Sequence, residues 1–353
     1  MRRLRQAVVG FGGMGGWHEA FVRENLPDIL EVYGVYDVRR EVMDLARGKG
    51  LHAYESLSSL LSDETVDLIT IATPNNFHKS IAIAALKAGK NVVCEKPVTL
   101  NAGELEEIIA VQKETGKVFS VHQNRRWDKD FRIVKAAKEQ GLLGQVYMVE
   151  SKVQGSRGSM YGWRGHAENG GGMLLDWGVH LLDQAMQLFD EKVVGVEAHL
   201  LSMYTPGVDD NIKVLLRFEK GCSYLMEMST NCLINAPRWH VQGLGGTLQI
   251  DDWSCKGKLM KLKPNAEMKW DNDIVYTEAG PTRTMAPRPE YTMDALPLPQ
   301  VSPDLKEFYR NIADAIWNHA ELIVKPEQAL RVMKVIDLLF KAQREGVGQK
   351  CEI

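Results

Sequence analysis

The chain lacks an excess of basic charge, a long apolar run and paired cysteines, and each absence removes a class of function. Lys and Arg total 43 against 46 Asp and Glu, a formal net charge of −3. A nucleic-acid partner would ask for a basic balance or stripe, and the only basic cluster, Arg2, Arg3 and Arg5, reads as a solvated terminus. Only Gln6-Ala7-Val8-Val9 separates that cluster from a glycine-rich stretch, too little for the apolar core of a secretory signal. No run approaches the roughly 18 apolar residues of a membrane helix. Neither nucleic acid nor membrane is therefore expected as a partner. The five cysteines (Cys94, Cys222, Cys232, Cys255 and Cys351) are odd in number and show no C-x-x-C spacing. They predict reduced thiols in a cytoplasmic protein, with neither a disulfide framework nor a zinc site.

What is present is an ordinary globular composition, 44% hydrophobic and 25% charged, over 353 residues. At roughly 150 residues per domain that length suggests about two domains. The first third alternates strand and helix signals. Ala7–Val9, Leu30–Tyr36, Leu68–Ala72, Asn91–Cys94 and Val118–Val121 read as strands, with helices over His78–Ala88 and Ala102–Glu114. That alternation predicts right-handed βαβ units and a parallel sheet. After about Gln123 the pattern changes to longer strands: Val146–Val153, Val193–Met203, Ile212–Phe218, Cys222–Thr230, Trp239–Gln242 and Thr247–Ile250. One helix, Met173–Phe189, interrupts them, and Gly221 marks a hairpin.

The expected organisation is a domain over residues 1–123 and an α+β domain with a mostly antiparallel sheet over 124–353. Residues 263–303 hold seven of the 13 prolines and read as irregular. Two helices close the chain. Ser302-Pro303 supplies start signals for one with Leu305, Phe308, Ile312 and Ile316 on a face; Pro326 opens the other, which ends at Gly346. This helical region, about 303–346, is expected to pack back towards the first domain.

Three motifs carry chemistry. Gly10-Phe11-Gly12-Gly13-Met14-Gly15 is a G-x-G-x-x-G between a strand and a helix, the context in which the glycines let a pyrophosphate approach a helix N-terminus. The bland alternative is a glycine-rich turn with no ligand. Asp37, 22 residues after Gly15, ends the second strand and suits both ribose hydroxyls of NAD. Arg39 and Arg40 follow it and soften its repulsion of a 2′-phosphate, so NADP is disfavoured without being excluded. Glu95-Lys96-Pro97 follows the fourth strand, which puts Lys96 at the edge where the nicotinamide should lie. That lysine is either a solvated charge or a group that polarises a substrate oxygen. Finally, Gly170-Gly171-Gly172 leads into a helix bearing Asp176 and His180, four residues apart and so on one face. His is the commonest general acid/base, although a lone helical His is more often a core residue. A metal at Asp176 and His180 would need a third ligand that helix spacing does not supply.

In this combination and order the motifs resemble the glucose–fructose oxidoreductase / inositol dehydrogenase (Gfo/Idh/MocA) family over nearly the whole chain. Ala72-Thr73-Pro74-Asn75-Asn76-Phe77-His78 and Gln123-Asn124-Arg125-Arg126-Trp127 add to the match. The resemblance implies an α/β Rossmann domain followed by an α+β domain with a large, open-faced sheet, the site lying between them. It implies that Lys96, Asp176 and His180 form the catalytic set, with His180 as base, Asp176 orienting it and Lys96 holding the substrate oxygen. Thr73, Pro74, Asn75, His78, Glu95, Trp163 and Arg164 are implied at the cofactor, and Asn124, Arg125, Trp127, Tyr161 and Trp163 at the substrate.

The expected activity is hydride transfer between NAD(H) and a secondary alcohol of a sugar, polyol, inositol or glycoside. Its alternatives are an NAD-retaining glycosidase or lyase working through transient oxidation, and a non-catalytic NAD(H)-sensing regulator. A homodimer or homotetramer formed through the open sheet is implied as well.

Overall fold

The computed structural model describes residues 2–266, 269, 274–283 and 288–353. Strands and helices alternate at first: β1 (Leu4–Val9), α1 (Gly13–Asn25), β2 (Leu30–Tyr36), α2 (Arg40–Gly48), β3 (His52–Ala53), α3 (Leu57–Leu61), β4 (Leu68–Ile71), α4 (His78–Lys87), β5 (Asn91–Cys94), α5 (Ala102–Thr115) and β6 (Phe119–Val121). The six strands form one sheet in the order β3-β2-β1-β4-β5-β6, and every pairing is parallel. Residues 68–71 and 92–94 are fully buried, as strands covered by helices on both faces must be. Winding reverses between β1 and β4, and the carboxyl ends of these strands open a crevice there.

The remainder runs α6 (Lys129–Glu139), β7 (Val146–Gln154), α7 (Val179–Leu188), β8 (Val193–Leu201), β9 (Asn211–Phe218), β10 (Ser223–Ser229), β11 (Trp239–Gly243), β12 (Gly246–Ile250), β13 (Gly257–Leu262), β14 (Ile274–Thr277), β15 (Gly280–Arg283), β16 (Met293–Leu296), α8 (Lys306–Asn318), α9 (Pro326–Glu345) and β17 (Gln349–Lys350). Nine strands make the second sheet, ordered β16-β13-β12-β11-β7-β10-β9-β8-β17. It is antiparallel except where β10 lies beside β7. Along β7, Val149, Ser151 and Val153 are buried while Glu150, Lys152 and Gln154 are half-buried, so one face is packed and the other open. α9 packs on β6 of the first sheet as well as on β8 of the second. Ser120 Oγ donates to the Val324 carbonyl (2.8 Å), and the Ala102 N–H donates to Asp337 (3.0 Å).

Three details correct the sequence reading. The proline-rich stretch contains β16, paired with β13 from Leu259↔Leu296 to Leu262↔Met293, and the β14–β15 hairpin. Such short strands are fixed by their partners, and their own periodicity is too brief to show them. Residues 267, 268, 270–273 and 284–287 of that stretch lie outside the described residues. Next, α8 begins at Lys306 and not at Pro303: Asp304 provides the start, its side chain accepting the Lys306 N–H (3.0 Å) and its carbonyl the Glu307 N–H (3.0 Å). Phe308 and Ile312 face inward as the pattern required, and α9 does end at Gly346, in the left-handed region at φ 66°. Last, the helix expected over Met173–Phe189 opens with a π-helical turn, Leu174–Gly178, before α7.

Candidate active site

At the nucleotide crevice the glycines do two different jobs. Gly10 has φ 87°, and a Cβ on it would lie 2.7 Å from the Ala72 carbonyl; a Cβ on Gly15 would lie 2.0 Å from the Gly10 oxygen. These two let β1, β4 and α1 meet. Gly13, by contrast, is exposed, and a Cβ there would meet nothing within 4 Å. The N-terminus of α1 is capped by no side chain and carries no acid in its first turn. Free N–H groups, the positive end of the helix dipole and open space fit a dinucleotide pyrophosphate. Met14 is half-buried beside them.

Asp37 stands at the end of β2. Its Oδ2 accepts the Phe11 N–H (2.8 Å), and Arg39 reaches it at 3.1 and 3.2 Å. Burial opposes its charge, but Arg39 and the two backbone N–H groups outweigh that and hold the carboxyl below its usual range.

Lys96 leaves the end of β5, where the Lys96–Pro97 peptide is cis, and meets the π turn. Its Nζ donates to Asp176 Oδ1 (3.0 Å) and to the Asp176 carbonyl (3.0 Å). Arg164 Nε lies 3.3 Å from the same Oδ1. Burial works against a charged Asp176, yet Lys96 and Arg164 together keep its carboxyl below the usual range. The hydrogen bonds of Asp176 thus go to two cations. His180, one turn on, is 3% exposed, and its Nδ1 has no hydrogen-bond partner among the described residues. Burial, then Lys96 and Arg125, push His180 well below its ordinary value, so it is neutral at neutral pH.

The π turn itself is positioned by Asp209, whose Oδ2 accepts the Leu174 N–H (2.7 Å) and whose carbonyl accepts the Met173 N–H (2.8 Å). Gly172, at φ 103°, makes room for that carboxylate; a Cβ there would lie 2.4 Å from Asp209 Oδ1.

The other sequence-selected residues divide. Asn75 is buried and donates to the Gly170 carbonyl (2.9 Å), joining the Thr73-Pro74 loop to the glycine stretch. Thr73 Oγ1 is a buried atom with no partner among the described residues, free for a ligand at the crevice. Trp163 lies under the Arg164 guanidinium at 4.5 Å; Tyr161 is exposed, with Arg157 over its ring at 4.5 Å. Arg125 lies over Trp177 at 4.9 Å and pairs with Asp128 (3.2 Å), and Asn124 is half-buried next to it.

Three expected ligand residues are instead engaged inside the protein. His78 is buried with its ring nitrogens at the Pro97 and Thr73 carbonyls, each at 2.9 Å, and braces that loop. Trp127 is buried and donates to Glu307 (2.9 Å). Glu95 is buried as well, between two histidines.

Sequence reasoning missed Asp209, Trp177 and Trp253. The rings of the two tryptophans lie 5.7 Å apart, and Trp177 stands edge-on to His180 at 5.7 Å. Only the adjacency of Trp177 to Asp176 in the chain could have flagged it.

Known proteins match along the same division. Residues 4–123 match the model of an oxidoreductase family's NAD-binding Rossmann fold, and residues 131–249 match the GFO/IDH/MocA C-terminal domain. The crystal structure of an NAD-binding protein from Listeria innocua is 40% identical and superposes with a TM-score of 0.93, covering 99% of this chain and 100% of its own. The uncharacterized oxidoreductase YdgJ of Escherichia coli is 32% identical over 79% of each chain. A scyllo-inositol 2-dehydrogenase (NADP(+)) of Bacillus subtilis, IolW, is 24% identical over 97% of this chain and 94% of its own. With this fold, this crevice and these matches, the chain belongs to the GFO/IDH/MocA family of oxidoreductases.

Proposed function

We propose that the protein oxidises a secondary alcohol of a sugar, polyol, inositol or glycoside, with NAD as hydride acceptor. The observation that carries this reading is a buried, neutral His180 beside the Lys96–Asp176 pair, at the carboxyl edge of the nucleotide-binding sheet. His180 takes the hydroxyl proton as general base. Lys96, held by Asp176, gives up part of its hydrogen bonding to the substrate oxygen as negative charge develops there. The bound dinucleotide supplies the chemistry of hydride acceptance at the alcohol carbon. Burial of the base excludes bulk water from the proton-transfer step. Arg125, with Trp177 beneath it, lines the substrate side.

Asp37 supports NAD, since its carboxylate suits paired ribose hydroxyls. Arg39 favours a second reading, NADP, because it pairs with Asp37 at 3.1 Å and is a half-exposed cation that could meet a 2′-phosphate; the name of the Bacillus subtilis relative also records NADP(+). The division of labour we assign is dinucleotide binding by 1–123 and substrate binding with self-association by 124–353. The open sheet face, where Met148 on β7 is exposed, is the surface assigned to a homodimer or homotetramer.

The test mixes purified protein with NAD or NADP and a panel of sugars, polyols, inositols and glycosides, following the absorbance of reduced nicotinamide. Reduction with one substrate class is the expected result. Absence of reduction across the panel, with NADH still bound tightly, would overturn a dehydrogenase in favour of a retained-cofactor enzyme or a sensor.

A further inference from the structure

Two neighbouring arginines, Arg125 and Arg126, are used in opposite ways. Arg126 is spent on the fold: Nε and Nη2 bond the Asp183 carboxylate at 2.7 Å each, Nη1 bonds the Ile323 carbonyl and Gln328 at 2.9 Å each, and the side chain is 5% exposed. Arg125 is 36% exposed and, among the described residues, its guanidinium donates only from Nη1, to the two oxygens of Asp128 at 3.2 and 3.5 Å. A charge-assisted pair closes to about 2.7–2.9 Å. The Arg125 pair is slack by that measure, and Nη2 is left without a protein acceptor.

Arg125 is held by stacking more than by hydrogen bonds. Its guanidinium lies over the Trp177 ring at 4.9 Å, and its backbone carbonyl accepts Gln184 Nε2 of α7 (2.9 Å). Trp177 follows Asp176 in the π turn and stands edge-on to His180 at 5.7 Å. The stack therefore sets a cation beside the base, and after Lys96 it is the charge that most lowers the proton affinity of His180. A planar cation fixed on an aromatic face, with N–H groups unspent, is organised to receive a planar carboxylate.

The charges around the base leave a place for one more anion. Lys96 and Arg164 share the single carboxylate of Asp176, and Arg125 has Asp128, so three cations face two carboxylates. Asp128 is also a weak counter-ion, because burial outweighs the pull of Arg125 and raises its carboxyl to about 6. Arg238 is matched by Asp130 at 3.1 Å. Glu95 is turned inward, its Oε1 between His18 and His122, with Tyr309 on the far nitrogen of His18.

We infer that Arg125 binds a carboxylate of the substrate, so that the alcohol oxidised belongs to a sugar acid. This rests on the reading of His180 as the base of alcohol oxidation, and it narrows that reading to one class. One unmatched positive charge suits a monoanionic carboxylate, whereas a phosphate monoester would bring about two negative charges.

The test compares pairs that differ only in a carboxylate for a CH2OH group: gluconate with glucitol, galactonate with galactitol, and glucuronate with glucose. Calorimetry gives the affinity of the intact, NADH-loaded protein for each, and turnover with NAD gives kcat/KM. At least one acid should bind about tenfold or more tighter than its neutral counterpart, the scale of one charge-assisted hydrogen bond. Arg125→Gln should bring that ratio close to one, and Arg125→Lys, which keeps the charge without the fork, should retain part of it. The ratio cancels any loss common to both members of a pair, so a merely structural Arg125 would leave it unchanged. An acid preference intact in Arg125→Gln would overturn the inference. So would a wild type that binds no acid more tightly than its neutral counterpart, a result that needs no variant to fold. Glucose 6-phosphate bound more than tenfold tighter than every acid would overturn the carboxylate in favour of a phosphate. The two readings fail separately. Neutral compounds that reduce NAD with higher kcat/KM than their acids would keep the dehydrogenase and remove the inference. Acids bound through Arg125 with no reduction of NAD or NADP would keep the carboxylate site and remove the dehydrogenase.

Discussion

Lys96 bonds Asp176 twice, through the carboxylate Oδ1 and through the backbone carbonyl, each at 3.0 Å. The two residues are 80 positions apart in the chain. One follows a strand of the nucleotide-binding sheet, and the other sits in a π turn ahead of a helix under the second sheet. A widened turn is a frequent feature of functional sites, and here it presents a backbone carbonyl to a lysine. The pair stands at the carboxyl end of β5, and His180, the base we propose, follows one turn after Asp176.

Lys96→Ala and His180→Ala should each lower kcat/KM by at least about 100-fold, the scale of one positioned acid/base group. NADH should still bind to both, because the α1 crevice is untouched. Titration with NADH alongside steady-state assays checks this; near-normal turnover removes that residue from the mechanism.

The pH dependence follows from the sign of the His180 shift. Burial first, then Lys96 and Arg125, lower its proton affinity. A base for alcohol oxidation must be unprotonated, so kcat/KM should stay flat as pH falls through 6.5, the ordinary value for His, and drop only below it. Arg125→Gln removes one of the cations that lower it and should move the acid limb to higher pH. Ketone reduction needs the protonated form and should show the opposite slope. An acid limb centred at or above pH 6.5 in the wild type would contradict the neutral, buried base.

The two glycine roles separate experimentally. Gly13→Ala places its methyl in open space at the start of α1, and should leave the melting temperature of the cofactor-free protein unchanged or higher, since Ala favours a helix over Gly by about 1 kcal/mol. It should weaken NAD(H) binding. Gly15→Ala drives a Cβ to 2.0 Å from the Gly10 oxygen and should lower the melting temperature before any cofactor is added. Thermal denaturation with and without NADH distinguishes them.

Arg126 and Asp183 form a bidentate buried pair, with both contacts at 2.7 Å and side chains 5% and 2% exposed. Arg126 also donates to the Ile323 carbonyl and to Gln328, each at 2.9 Å. Arg126→Met leaves Asp183 charged and unpaired, which should cost about 3–5 kcal/mol. Denaturant unfolding of the variant checks it, and a loss below about 1 kcal/mol would show that water or another residue reaches Asp183.

Trp253 is about half exposed and faces Trp177. If a sugar-like ring packs on this pair, Trp253→Ala should raise KM about tenfold with kcat little changed, the effect of losing one aromatic contact of roughly 1.4 kcal/mol. An unchanged KM would place the substrate elsewhere.

The local chemistry of each element was legible in the chain. β2 and β5 run from Leu30 to Tyr36 and from Asn91 to Cys94, as their apolar runs indicate. The glycine fingerprint, the strand-end Asp37 and the Lys96 position follow from spacing alone, because a βαβ unit has one geometry. Short-range patterns also set both ends of α9, where Pro326 at the start and Gly346 at the close work through their own backbones. What the chain could not show is which distant groups answer one another. Asp176 was read as the partner of His180 four residues on, yet its hydrogen bonds go to Lys96 and Arg164; that choice is made where two sheets meet. Trp127 and His78 looked like ligand residues by position, but Glu307 and two backbone carbonyls claim them. Asp209, His18, His122 and Tyr309 carry no motif, and their roles exist only once helices and strand ends converge. Sequence by itself determined the longer elements and the fold class, since hydrophobic period and turn residues act over a few positions, whereas the short strands β14, β15 and β16 were set by their partners. Tertiary structure alone decided the charge states, because burial and distance to an opposite charge are properties of the assembled chain.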